Sequence, residues 1–222
     1  MKLAIVVPVK SPRRAKHRLE ALLSAEERAS LAITMARDVM AVVAQLTEYG
    51  RFVVSDDAEI LKLAREYNLE ALEDRRMQGQ SAAVQQGFTA AWDRGYTTAL
   101  TIPGDVPGVS VEELRGLCAY RPELEVLLSR DRERIGTNGL RLIPPHAISL
   151  RFGEDSFRLH RDEAARANRS FETHDLDGLG CDLDRPEDVI AFQRLGRDCA
   201  SLRLLTELRV FERVPAVAAP PA

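Results

Sequence analysis

The sequence predicts an α/β fold: three layers, α/β/α, around a mostly parallel sheet. Apolar runs of strand length alternate along the chain with capped, amphipathic segments of helix length. Strands separated by helices in this way pair in parallel, with helices covering both faces. The first run, KLAIVVPV at residues 2–9, is apolar almost throughout, the pattern of a strand buried on both faces. With 222 residues, 45% apolar and 29% charged, the chain is long enough for a substantial core and too apolar for disorder.

The elements follow in order. SAEERASLAITMARDVMAVVAQL opens on Ser24 with Glu27 three residues later, a capping box at the start of a long helix. Next come a strand at RFVVS, a helix at DAEILKLAREY and a short strand at LEAL. The loop EDRRMQG leads to the helix SAAVQQGFTAAWDRG and then to a strand at residues 98–102. SVEELRGLCAY reads as a helix and LEVLLS as a strand, with residues 130–155 expected to be irregular. SFRLHRDEAARAN is a helix, SFETHDL a strand, and the last helix of the main unit starts near Pro186. Residues 1–196 form the expected domain. Residues 197–222 supply one more helix and a loose end at VPAVAAPPA.

Charge and cysteines narrow the class. A net charge of −3 gives no general case for nucleic acid or membrane binding, so any basic patch is local. Cys118, Cys181 and Cys199 are odd in number and scattered, against both a disulfide framework and a structural zinc site. The apolar run of seven residues at the N-terminus reads as a strand and not a signal peptide, and no run approaches membrane-spanning length. A cytoplasmic protein is expected.

In parallel α/β sheets chemistry gathers outside the carboxyl ends of the strands. After the first strand comes PVKSPRRAKHRL, where Lys10, Arg13, Arg14, Lys16 and Arg18 carry positive charge with no acid among them. A solvated basic loop is the plain alternative, but this is where phosphate-binding loops stand, and lysine and arginine suit phosphoryl oxygens. Neither a P-loop nor a GxGxxG motif is present. His17 reads as a bystander. After the central strand, TALTIPGDVPGVS places Asp105 in a turn between Pro103 and Pro107, which hold the carboxylate in fixed geometry. A polyphosphate calls for Mg²⁺, an ion held by one or two carboxylates with phosphate oxygens and waters.

A second carboxylate source is CDLDRPEDV. Asp182 and Asp184 are two apart and project to one side of an extended segment, although capping of the next helix also accounts for Asp184. RIGTNGL and RFGEDSF supply glycines and small hydroxyls. Thr137 and Ser156 are suited to bond phosphate oxygens, and Gly153 lets backbone amides approach closely. Ser156 stands at a helix start, a natural anion site; two ordinary turns and a cap are the plain alternative.

Together PVKSPRRAKHRL, GDVP, GTNGL, RFGEDSF and DLDRPEDV, in this order over roughly residues 3–195, resemble the MobA-like nucleotidyltransferases. Within them they resemble the CofC/FbiD family of phospholactate or phosphoenolpyruvate guanylyltransferases. The GTN and RFG-x-x-SF pair carries the narrower resemblance. It implies a nucleotide-diphospho-sugar transferase fold, GT-A-like and Rossmann-like. The implied reaction moves GMP from GTP to 2-phospho-L-lactate, phosphoenolpyruvate or 3-phosphoglycerate, releasing pyrophosphate, for the deazaflavin coenzyme F-420. It also implies roles. Lys10, Lys16 and Arg18 hold the triphosphate, and Gly79 lies beside the nucleoside. Asp105 binds Mg²⁺ with Asp182 or Asp184 as its partner, and Thr137, Gly153 and Ser156 hold the acceptor. The sequence departs from the family pattern at His17, where a small hydroxyl is usual, and at residues 79–81, GQS where GLN is usual. Two other readings stand beside this one: a MobA-like enzyme acting on a molybdopterin or a sugar phosphate, and a non-catalytic nucleotide-binding module. Homodimerisation is compatible with the guanylyltransferase reading and with both alternatives.

Overall fold

The computed structural model describes residues 2–12, 16–75 and 77–214. Arg13 and Arg14 of the basic loop, Arg76 and the end of the chain from residue 215 lie outside the described residues. The strands are β1 (Leu3–Val9), β2 (Gly50–Ser55), β3 (Glu70–Glu73), β4 (Thr98–Thr101), β5 (Val126–Arg130), β6 (Thr137–Leu142) and β7 (Phe171–Thr173). The first five helices are α1 (Ala25–Ala44), α2 (Ala58–Glu66), α3 (Gln80–Asp93), α4 (Val111–Ala119) and α5 (Ser156–Arg166). The short α6 (Asp177–Gly180), α7 (Pro186–Leu195), α8 (Ala200–Glu207) and α9 (Val210–Arg213) complete the set.

The seven strands form one sheet in the order β3-β2-β1-β4-β6-β5-β7. Every pairing is parallel except those made by β6, which runs antiparallel to both β4 and β5. Side chains alternate across the sheet. Leu3, Ile5 and Val7 of β1 face α1, α2 and α4, while Ala4 and Val6 face α3 and α5. The expected three layers are therefore present. The expected capping box forms, with Ser24 accepting from the Glu27 amide, and a second one stands at the start of α4, where Ser110 accepts from the Glu113 amide.

One expectation fails. Residues 130–155 are not irregular throughout, because they contain β6, a strand at the centre of one half of the sheet and buried along its whole length. TNGLRL hides it: Asn, Gly and Arg are poor strand formers, and an arginine is out of place in a buried run. Arg141 is nonetheless fully buried. Its guanidinium donates to the carbonyls of Leu117, Cys118, Tyr120 and Arg121, satisfying the acceptors that the end of α4 leaves open.

After residue 197 two short helices stand in place of the one expected. The Asp38 carboxylate accepts from the amides of Ala200 and Ser201, anchoring α8 on α1. Leu205 and Val210 enter a third apolar cluster with Leu31 and Met35 of α1 and Phe192 of α7. No helix among the described residues is long and apolar enough to cross a membrane.

Candidate active site

The chain goes from β1 outward to β2 and β3, then returns to place β4 on the other side of β1. The carboxyl ends of β1 and β4 thus flank the point where strand order reverses, and a cleft of about 600 Å³ opens there. Lys10, Lys16, Gly79, Asp105, Thr137, Gly153, Ser156, Asp182 and Asp184 all line it, although they come from six separate segments. Arg18 does not line it. Its side chain is 63% exposed and reaches in from the rim to Asp184 Oδ2, at 3.0 Å.

The acidic wall is built on a turn. β4 stops at Thr101, Pro103 interrupts the ladder, and the turn that follows carries Asp105. The Leu183 amide donates to the Asp105 carbonyl at 3.1 Å, which straps the Asp182–Asp184 segment to that turn. Leu183 is fully buried in the third apolar cluster, so its two neighbouring carboxylates turn the other way, into the cleft. Capping does not account for Asp184. Asp188 takes that work, accepting from the amides of Asp184 and Arg185 and from the Arg132 guanidinium at 2.7 Å.

Lys16 faces this wall. Its backbone is left-handed (φ 60°, ψ 32°), and its ammonium lies 2.6 Å from Asp105 Oδ2 and 3.2 Å from Asp184 Oδ1. Burial pulls the Lys16 ammonium toward neutrality, but the Asp105 and Asp184 charges prevail and raise its pKa. Burial pushes Asp184 up, and Lys16 and Arg18 more than offset it, so its carboxyl sits below the usual range. Asp182 is different. Burial and the neighbouring Asp105 charge push it up to about 6. The described residues form no ion pair with it; its partner is the Asn138 amide, which donates at 3.0 Å.

Such a set fits a hard cation. Carboxylate oxygens are the donors Mg²⁺ prefers, and the mutual repulsion of Asp105 and Asp182 is what a dication between them would relieve. Among the described residues no group of three or more His, Cys, Asp or Glu side chains is arranged to hold a metal by itself. An ion completing its shell with phosphate oxygens and waters needs only one or two.

Another part of the lining carries hydroxyls. The Thr137 amide donates to Ser156 Oγ at 2.9 Å, which joins the start of β6 to the start of α5. Gly79 and Gly153 have φ of +91° and +129°, conformations that side-chain-bearing residues rarely adopt, and both leave backbone open to the cleft. Asp105, Lys16, Thr137, Gly153 and Ser156 are therefore brought together in one cleft, with Arg18 held at the rim.

Some site residues escaped that reading. Asn138 tethers Asp182 and lies on the strand that was read as irregular. Ser81 Oγ accepts from the Phe152 amide, joining α3 to the loop that carries Gly153. His160 contacts Thr137, and its place four residues after Ser156 on one helix face was the available signal.

Comparison with known proteins gives the family and the fold. The family described as guanylyl transferase CofC like matches residues 3–216, past residue 195, where the sequence motifs end. The phosphoenolpyruvate guanylyltransferase of Rubrobacter xylanophilus is 32% identical over 197 residues, covering 88% of this chain and 96% of that protein. The 2-phospho-L-lactate guanylyltransferase of Methanocaldococcus fervens is 30% identical, covering 83% and 82%. The 3-phospho-D-glycerate guanylyltransferase of Colwellia psychrerythraea is 29% identical, covering 85% and 90%. Among solved structures, a protein of Desulfovibrio desulfuricans described as a candidate nucleotide-diphospho-sugar transferase superposes with a TM-score of 0.79 over 96% of this chain and 99% of that one. At 16% identity that likeness concerns the fold alone.

Proposed function

Because the chain belongs to the CofC-like guanylyl transferase family, we propose that it transfers GMP from GTP to a small phospho-acid and releases pyrophosphate. The observation that carries this reading is one cleft with two chemically distinct walls. Lys16, Asp105, Asp182 and Asp184 form a charged wall suited to a metal-bound triphosphate. Thr137, Gly153 and Ser156 supply hydroxyls and open backbone suited to a second anion. We place this step in the making of the deazaflavin coenzyme F-420, as the family resemblance implies.

In the proposed reaction an oxygen of the acceptor phosphate attacks the α-phosphorus of GTP. The new P–O bond forms as the bond from the α-phosphorus to the bridging oxygen of pyrophosphate breaks. Both reactants are anions, so the barrier is set by charge and alignment more than by covalent chemistry. Lys10 and Lys16 offer cations to the triphosphate, with Arg18 adding charge from the rim, and Gly79 leaves space beside the nucleoside. Thr137 and Ser156 hold the acceptor at a fixed distance from the charged wall. Asp105 would hold Mg²⁺ with Asp182, which forms no ion pair among the described residues, as its partner; Lys16 pairs Asp105 and Asp184 alike, and Arg18 adds a second cation at Asp184. When bound, the ion would supply charge neutralisation on the phosphoryl oxygens. No side chain need become a covalent nucleophile.

The test is pyrophosphate release with GTP, ATP and CTP, each combined with phosphoenolpyruvate, 2-phospho-L-lactate and 3-phospho-D-glycerate. Release that requires both GTP and one of the three acids is expected. Release with GTP and a sugar phosphate, or nucleotide binding without turnover, would replace this reading with another.

A further inference from the structure

His160 is fully buried on α5 and has no part in the chemistry assigned above, yet it touches the acceptor wall. Its Nε2 lies 2.9 Å from the amide nitrogen of Arg151. A backbone N–H only donates, so Nε2 is the acceptor in that bond and carries no proton. The ring's single proton is then on Nδ1. Nδ1 lies 3.1 Å from Thr137 Oγ1, which makes the bond a donation from the ring to the hydroxyl. Burial supports the neutral ring, holding its pKa down at about 4. The groups that face it are the Phe152 ring at 4.7 Å, the backbone of Arg151, and Glu163 one turn on, whose carboxylate Arg151 and Arg166 pair.

Thr137 Oγ1 accepts from His160, so its own proton must go elsewhere. Ser156 Oγ accepts from the Thr137 amide and is left in the same condition. Among the described residues neither hydroxyl donates to a protein atom, and both line the cleft.

We propose that His160 is a positioning residue for the acceptor site. It occupies the accepting side of the Thr137 hydroxyl, so that this hydroxyl stands beside that of Ser156 as a fixed donor to the anionic group of the phospho-acid. The identity of the anion rests on the guanylyltransferase reading; the ring tautomer does not. Without the ring, the Thr137 hydroxyl would rotate freely and lose its single role.

The experiment has two arms. Ring ¹⁵N correlation spectra of the intact wild-type protein report the tautomer without any substrate, and the Nδ1–H form is expected near neutral pH. An Nε2–H ring would overturn the proposal by itself. Steady-state kinetics on folded variants form the second arm. His160→Phe should raise the acceptor KM about tenfold, the loss expected for one bond to a charged group, and leave the GTP KM within about twofold. His160→Asn, whose amide nitrogen takes the place of Nδ1, should recover most of the loss. The Thr137→Val, His160→Phe double variant should be no worse than Thr137→Val alone, because the ring acts through that hydroxyl. Unchanged acceptor KM in His160→Phe, or penalties that multiply in the double variant, would overturn the proposal. If the wild type uses no phospho-acid at all, the functional reading falls, and the ring spectra still judge His160.

Discussion

The ammonium of Lys16 lies 2.6 Å from Asp105 Oδ2, across 89 positions of sequence, and 3.2 Å from Asp184 Oδ1. The loop after β1 and the turn after β4 meet there in one partly buried contact. Lys16 is 5% exposed at the side chain and the two carboxylates about a third, so the pair is neither a surface bridge nor fully desolvated.

Lys16→Met keeps the stem and removes the charge. It should cost about 2 kcal/mol in stability, because two partly buried carboxylates lose their partner. It should also lower kcat/KM for GTP by tenfold or more. Arg18→Ala should do much less, since its side chain is 63% exposed and held at the rim. Urea melts and steady-state kinetics on both variants check the ranking. Equal losses would place Arg18 in the cleft after all.

Asp182 carries a pH signature. Its carboxyl titrates at about 6 in the fold against a usual 3.8, so the folded state holds a proton that the unfolded chain has released between those values. Stability should therefore fall as pH rises from about 4 to 6, by on the order of 2 kcal/mol for this partly exposed group. Asp182→Asn should be more stable than wild type at pH 7, match it near pH 4, and be nearly inactive. Denaturant melts at the two pH values measure the difference. A variant less stable than wild type at pH 7 would contradict the assignment.

Thr137→Val and Ser156→Ala separate the two walls. Each should raise the acceptor KM about tenfold while leaving GTP affinity unchanged, as for one bond to a charged group. Calorimetric GTP titration beside acceptor-dependent turnover gives both numbers. Equal loss of GTP and acceptor would assign the hydroxyls to the nucleotide or to the fold.

Arg141→Met tests the hidden strand. The substitution leaves four carbonyls at the end of α4 without their donor, inside the protein. A loss of about 3 kcal/mol is expected, with the site's chemistry spared in whatever remains folded. A change below about 1 kcal/mol would mean that water or a neighbour satisfies those groups.

The sequence was legible where pattern and chemistry coincide. KLAIVVPV, the capped helices and the proline-bounded turn of Asp105 each announce themselves locally, and their positions at strand ends were enough to gather most of the site. Residues 137–142 were not legible, because Asn138 and Arg141 are polar groups that only the surrounding fold satisfies. Asn138 needs Asp182 and the Leu179 carbonyl, 44 and 41 positions away, and Arg141 needs the end of α4. The same holds for His160, whose role follows from a hydrogen-bond chain through Arg151 and Thr137 rather than from its neighbours in sequence. The rim position of Arg18 was beyond reach as well, since charge alone does not say how far a side chain extends into a cleft.

The most direct test of nucleotidyl transfer is ³¹P NMR of the wild-type protein with GTP, Mg²⁺ and each phospho-acid in turn. With the right acid the account expects two mutually coupled diphosphate resonances, those of a guanosine diphosphate ester, growing in step with inorganic pyrophosphate. GDP and inorganic phosphate with every acid, or unchanged GTP throughout, would contradict it.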